Sequence, residues 1–87
     1  MTTARFVFLG RLHDLAGCAE ASIDLPGETT WPGLQDILAA RFGKDLAAAV
    51  AEPRTSVAVH GIVQPHRESI VIRPGDEIAF LPPVSGG

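Results

Sequence analysis

The last eight residues, FLPPVSGG, are the stretch of this 87-residue chain whose residue types and spacing suggest chemistry. Pro82 and Pro83 each fix φ near −65° and lack a backbone N–H, so a strand that ends at Leu81 cannot continue through them. Because residues before a proline avoid the helical region, the segment should leave the body in an extended conformation. The sequence therefore predicts one folded domain, residues 1–81, followed by an extended tail, residues 82–87.

The tail ends in residues that take up little space. After Val84 and Ser85, Gly86 and Gly87 carry no Cβ, so a terminal carboxylate would sit at the end of a narrow rod. Such a rod can enter a channel that any side chain would block. We therefore predict that the carboxylate of Gly87 is the reactive group and that residues 82–86 give it access. The alternative is an end without a function, as at most termini.

The end of the chain, together with the sequence RPGDEI at residues 73–78, resembles the C-terminal part of the small subunits of molybdopterin synthases. Those subunits and the thiamine sulfur carrier form a group of ubiquitin-like sulfur carriers. The resemblance implies a β-grasp fold and a terminal glycine, here Gly87, that is adenylated and then converted to a thiocarboxylate. It further implies that the sulfur passes to a pterin precursor, in molybdenum cofactor biosynthesis, inside a large-subunit partner.

The resemblance also implies the partners of the chain. They are the large subunit of molybdopterin synthase, an ATP-dependent adenylating enzyme and a sulfur donor protein. The chain itself is expected to bind no cofactor, and the ATP is used by the activating partner. The chain departs from the family at two places: His13-Asp14 stands where an Arg-Glu pair is frequent, and His60 stands where a hairpin Asn is frequent. The first departure puts the matching polar contact with the large subunit in doubt.

Three other functions stay open on the sequence. The chain could carry sulfur for thiamine or cysteine synthesis, with the same terminal chemistry and another partner. It could be a ubiquitin-like modifier that forms isopeptide bonds to lysine residues. It could also be a β-grasp interaction module whose tail does no chemistry. The PPVSGG sequence favours the molybdopterin synthase subunit over these alternatives.

The composition restricts the class of protein. The chain has 46% hydrophobic and 20% charged residues, which is typical of a globular domain, and its length allows one domain that folds alone. The net charge is −3 and the basic residues are scattered, so nucleic acid is not expected as a main partner. No apolar run approaches the length of a membrane span, and no membrane association is expected. The expected location is the cytoplasm.

Other residues capable of chemistry do not form a site in the sequence. His13, His60 and His66 are isolated, and no Cys/His spacing indicates zinc or another metal. Neither a Ser/His/Asp set nor a phosphate-binding glycine loop is present. Cys18 is the only cysteine, and no histidine or basic residue stands beside it to favour a reactive thiolate. The body is therefore expected to have no active site of its own. The resemblance implies that it acts as the sulfur-donating subunit of a sulfurtransferase.

The element pattern predicts an α+β domain, with one main helix on one face of a mixed sheet of four to five strands. Leu34, Ile37, Leu38 and Phe42 recur at helical spacing, and Gly43 is a plausible stop. Residues 10–20 are expected to form a connection, with Leu12 and Leu15 tucked beneath it. The remaining elements are predicted strands at residues 5–9, 21–25, 56–59, 62–63, 70–72 and 77–81, and a short second helix at residues 44–51.

The first and last strands are apolar on both sides, which is normal for strands at the centre of a sheet. A single main helix can cover only one sheet face, so the other should stay uncovered and bind a partner. Phe80 is expected on the helix-facing side. The residues expected on the uncovered side are Val7, Leu9, Ala79 and Leu81, with Val63 nearby.

Overall fold

The computed structural model describes residues 2–83, so the predictions for Val84, Ser85, Gly86 and Gly87 lie outside the described residues. The strands are β1 (Thr3–Phe8), β2 (Glu20–Asp24), β3 (Thr29–Thr30), β4 (Ser56–Val59), β5 (Ile62–Val63), β6 (Val71–Ile72) and β7 (Glu77–Leu81). The helices are α1 (Arg11–Ala16), α2 (Trp31–Phe42) and α3 (Lys44–Ala51), and a 3-10 turn covers Arg67–Ser69. None of these helices is long and apolar enough to cross a membrane.

Five of the strands form a mixed sheet in the order β2-β1-β7-β4-β5. Strands β1 and β7 are parallel neighbours, and the other pairings in this sheet are antiparallel. The prediction that the first and last strands meet at the centre of the sheet is therefore confirmed. Strands β3 and β6 form a separate two-stranded ribbon, in which Thr29 lies opposite Ile72.

All three helices pack on the same face of the sheet, which we call the covered face. Phe6, Phe8 and Phe80 are fully buried there, and the rings of Phe8 and Phe80 stack with centroids 5.4 Å apart. The helices complete this core with the buried side chains Leu12, Leu34, Leu38, Leu46 and Val50. The helix-facing position of Phe80 and the short second helix at residues 44–51 are confirmed.

The segment predicted as a connection contains helix α1, and one of its two leucines is not buried. Leu12 is 1% exposed, whereas Leu15 is 41% exposed. Leu12 and Ala16 are one turn apart and both contact the core. At 3.6 residues per turn, Leu15 lies about 80° from the centre of that inward stripe. The prediction that Leu15 is tucked under the connection was wrong, because the segment is helical and presents only one stripe to the sheet.

The turn between β4 and β5 is a tight hairpin. His60 and Gly61 have φ values of 51° and 79°, as both central residues of a type I′ turn require. His60 is the only residue other than glycine with positive φ among residues 2–83. The sequence prediction of a two-residue hairpin at His60-Gly61 is confirmed.

Candidate functional site

The sheet face opposite the helices carries a row of apolar side chains across four strands. Val7 lies beside Ala79, Ala79 lies beside Ala58, and Ala58 lies beside Val63. Side chains that are directly opposite on neighbouring strands point to the same face of the sheet. Val63 is 56% exposed, so the edge of this row is open to solvent.

Leu9 and Leu81 extend this row toward the start of the tail. Each lies two residues beyond a member of the row, Val7 or Ala79, and therefore points to the same face. Leu9 is 41% exposed and Leu81 is half-buried. We use the name open face for Val7, Leu9, Ala58, Val63, Ala79 and Leu81.

The open face contains every residue that the sequence indicated for a partner interface, together with Ala58. Ala58 is only 6% exposed, yet it lies outside the buried core cluster. The sequence signal was its place between Val57 and Val59, which puts it on the side opposite Val57. Because a single alanine in a strand is a weak sign of an apolar face, sequence reasoning missed it. The role of the open face as an interface stays a prediction.

Charged side chains border the open face at the end away from the tail. The guanidinium of Arg5 lies 2.6 Å from a carboxylate oxygen of Glu20 and 3.3 Å from one of Glu77. The hydrogen bond to Glu20 and the attraction of both carboxylates raise the pKa of Arg5. These side chains are about half exposed, so their ion pairs contribute little to the stability of the fold. The cluster marks the place where the apolar surface ends.

A second polar pair lies at the start of β7. The Nε2 atom of His60 is 2.9 Å from Oδ1 of Asp76, and the backbone N–H of Arg73 donates to Oδ2 of the same carboxylate at 2.8 Å. The hydrogen bond with His60 lowers the pKa of Asp76, burial opposes this shift, and the Arg73 N–H adds to it. This pair joins the β4–β5 turn to the turn before β7.

The tail begins at a close contact between two segments that are far apart in sequence. The N–H of Leu9 donates to the carbonyl oxygen of Phe80 at 3.2 Å, which is the last ladder bond between these segments. Pro82, which follows Leu81, packs against Gly10. A Cβ placed on Gly10 would come within 2.8 Å of Cγ of Pro82. Pro82 and Pro83 are both half-buried, so the start of the tail rests on the body.

The other residues considered in the sequence lie apart from this region or on the surface. His13, Asp14 and His66 are exposed, and Cys18 is half-buried against the core. Residues 2–83 contain no group of three or more His, Cys, Asp or Glu side chains that could hold a metal ion. Gly10 gave no sequence signal, because its partner Pro82 is distant along the chain.

Three comparisons relate the chain to known proteins. Residues 6–87 match the model of the ThiS family. A molybdopterin synthase sulfur carrier subunit of Drosophila simulans is 30% identical, and the match covers 93% of this chain and 87% of that protein. A second such subunit, of Drosophila yakuba, is 28% identical over the same shares of the two chains.

A solved structure similar to this one is SAMP1 of Haloferax volcanii, with a TM-score of 0.79, 22% identity and coverage of 98% of this chain and 99% of that chain. A putative molybdopterin converting factor subunit 1 of Pyrococcus furiosus has a TM-score of 0.77 and 21% identity, covering 97% of this chain and 100% of that chain. These likenesses show the fold. The ubiquitin-like β-grasp prediction is confirmed.

Proposed function

The chain belongs to the ThiS family, and from this premise we propose that it is the sulfur carrier subunit of a molybdopterin synthase. The family match extends through residue 87 and therefore includes the Gly-Gly end. Relatives that carry the name of this subunit match 93% of the chain. Both findings agree with the resemblance of the FLPPVSGG sequence.

The observation that carries the proposal is the position of β7. This strand lies at the centre of the sheet, and its last residue, Leu81, belongs to the open face. The tail starts at the next residue, Pro82, so it leaves the body beside an apolar surface. A partner that covers the open face would hold its own reaction site next to the tail. We propose that this partner is the large subunit of the synthase.

The proposed chemistry takes place on the carboxylate of Gly87. An ATP-dependent adenylating enzyme joins AMP to a carboxylate oxygen and releases pyrophosphate. Sulfide sulfur from a donor protein then attacks the carbonyl carbon, and AMP leaves with that oxygen. The thiocarboxylate that forms is a nucleophile, and its attachment to the docked body raises its effective concentration at the pterin precursor. We propose the cytoplasm as the location, because the activation step uses ATP.

Intact-protein mass spectrometry tests this proposal. After incubation with the adenylating enzyme, ATP and a sulfur source, the chain should gain about 16 Da, the sulfur-for-oxygen difference of a covalent carrier intermediate. A variant that lacks Gly87 is the control and should stay unmodified. The absence of the heavier species with every component supplied would contradict the proposal. If the species forms but yields no product with the large subunit, a thiamine or cysteine pathway is favoured, whereas a conjugate to lysine indicates a protein modifier.

A substitution in the tail tests the requirement for a narrow end. Gly86→Val adds a branched side chain next to the reactive residue, so it should abolish sulfur transfer to the pterin precursor. The melting temperature should be unchanged, because the buried core lies between Ala4 and Phe80. Gly86→Ala adds only a methyl group and should also lose transfer, because any side chain is expected to block the channel. Normal transfer by Gly86→Val would show that a side chain at position 86 does not block the entry of the tail into the partner site.

A further inference from the structure

The contact between Gly10 and Pro82 joins the end of β1 to the start of the tail. Phe8 lies beside Phe80 at the end of the parallel ladder, and Gly10 and Pro82 each lie two residues beyond that pair. Gly10 has φ 56° and ψ −135°, a combination that residues with a side chain rarely adopt. A Cβ at this position would approach Pro82 Cγ to 2.8 Å and Cδ to 3.6 Å. Real Cβ atoms essentially never come closer than 3.0 Å to such a neighbour.

We propose that Gly10 is a positioning residue for sulfur transfer: it provides the seat for the Pro82 ring and thereby sets the direction in which the tail leaves the body. This inference rests on the proposed function and adds a residue to it. Gly10 takes no part in the chemistry. Its contribution is the space left by a missing side chain, at the point where the ladder between β1 and β7 ends.

The backbone geometry explains why the contact between Gly10 and Pro82 sets the direction in which the tail leaves the body. Pro82 has a fixed φ and no N–H, so it donates no ladder bond, and the bond from Leu9 to Phe80 is the last one between the two segments in residues 2–83. The orientation of the Pro82 ring therefore determines where the following peptide points. The surface below that ring is the backbone of Gly10. A side chain there would lift the ring and turn the start of the tail.

A small change of direction at Pro82 would be amplified at Gly87 if the partner binds the tail in the extended conformation that the sequence predicts. Five residues in an extended conformation span about 17 Å, so a tilt of about 20° would displace the far end by about 6 Å. A misplacement of about 1 Å at a reacting group can already reduce a rate about a hundredfold. Contact between the Pro82 ring and Gly10 also reduces the conformational entropy that the tail loses when it enters the partner. Transfer should therefore depend on Gly10 even though docking does not.

The test compares Gly10→Ala with Gly17→Ala. Both glycines flank α1 and have positive φ, 56° and 80°, but an added Cβ at Gly17 would meet nothing within 4 Å. Chains already carrying the thiocarboxylate are mixed with saturating large subunit, and the single-turnover transfer rate is measured. Gly10→Ala should transfer at least tenfold more slowly while its Kd for the large subunit changes less than twofold. Gly17→Ala should match the wild type in both quantities.

A second variant keeps the test decisive if Gly10→Ala does not fold. Pro82→Ala removes the ring without changing Gly10, and it should also slow transfer at least tenfold. In the Pro82→Ala background, adding Gly10→Ala should cost less than a further twofold, because the two changes disrupt one contact. Fully additive losses would overturn the proposal, and so would normal transfer by Pro82→Ala.

A measurement that needs no activity separates this inference from the proposed function. In the wild-type chain, proton NMR should show a nuclear Overhauser effect between the α protons of Gly10 and the ring protons of Pro82. Gly17→Ala should retain this signal, and Gly10→Ala should lose it. If wild-type chains carry no sulfur but show the signal, the proposed function fails and the contact stands. If wild-type chains transfer sulfur and the signal is absent, the inferred role of Gly10 is wrong and the proposed function stands.

Discussion

Neighbouring residues of β7 have opposite surroundings on the two sheet faces. Ile78 and Phe80 are fully buried under the helices, whereas Ala79 and Leu81 on the open face are only half-buried. The covered face is filled by the chain's own helices, whereas no helix among residues 2–83 packs against the open face. One strand therefore contributes one set of side chains to the core and leaves the other set on the open face, where we propose that a partner binds. Substitutions one residue apart should have separable effects.

The largest expected effect is on the covered face. Phe80→Ala removes a ring that packs against Phe6 and Phe8, with centroids 5.8 Å and 5.4 Å away. It should lower the free energy of unfolding by about 3–5 kcal/mol. Chemical denaturation measures this loss, and Phe80→Leu should lose less because it leaves a smaller cavity. If Phe80→Ala unfolds like the wild type but loses the large subunit, the two faces have been assigned the wrong way round.

The next effect is on the open face and concerns binding. Leu81→Glu places a charge in the apolar surface beside the tail, so the Kd for the large subunit should rise at least tenfold, which is about 1.4 kcal/mol. The melting temperature should change little, because Leu81 is half-buried. Titration calorimetry measures the Kd.

Val71→Glu is the matched control for Leu81→Glu. Val71 is an exposed apolar residue, but it lies on the β3–β6 ribbon rather than on the open face. The same change of charge there should leave the Kd unchanged. Equal weakening by both variants would mean that net charge, and not the open face, governs the association.

The smallest effect belongs to the polar end of the sheet. His60 lowers the pKa of Asp76, so the contribution of this carboxylate to stability is complete above its unfolded pKa, about 3.9, and is lost as the pH falls through the lowered folded value. Asp76→Asn should therefore melt slightly below the wild type at pH 7. The difference should disappear in strong acid. Thermal melts between pH 7 and pH 2 measure it, and a constant difference throughout would contradict the assigned cause.

The division between the two faces could be predicted from sequence because strand alternation alone determines it. Val7 and Leu9 alternate with Phe6 and Phe8, and any extended segment places such sets on opposite sides. The central position of β1 and β7 was predicted from the apolar residues on both of their sides, a pattern that is normal for strands at the centre of a sheet. These inferences needed no knowledge of distant contacts.

Features that depend on packing between distant segments could not be predicted. Helix α1 is six residues long, too short for periodicity to distinguish it from a loop. The pairing of β3 with β6 joins two strands of two residues each, and the sequence predicted a brief pairing at residues 70–72 without its partner. The seat of Pro82 on Gly10 depends on the register of two strands, which only the folded sheet determines.

The pairing of β1 with β7 has a consequence for how the protein folds during synthesis. Arg5 pairs with Glu77 and Phe8 with Phe80, so every pair in this ladder is 72 residues apart. Contacts of such long range slow folding, because a large loop must close before they form. During synthesis, β1 therefore lacks its neighbour at the centre of the sheet until the ribosome has synthesised β7. A nascent chain that stops before Glu77 cannot complete the sheet, so we expect an enzyme that recognises the folded body to act only on chains that include the strand leading into the tail.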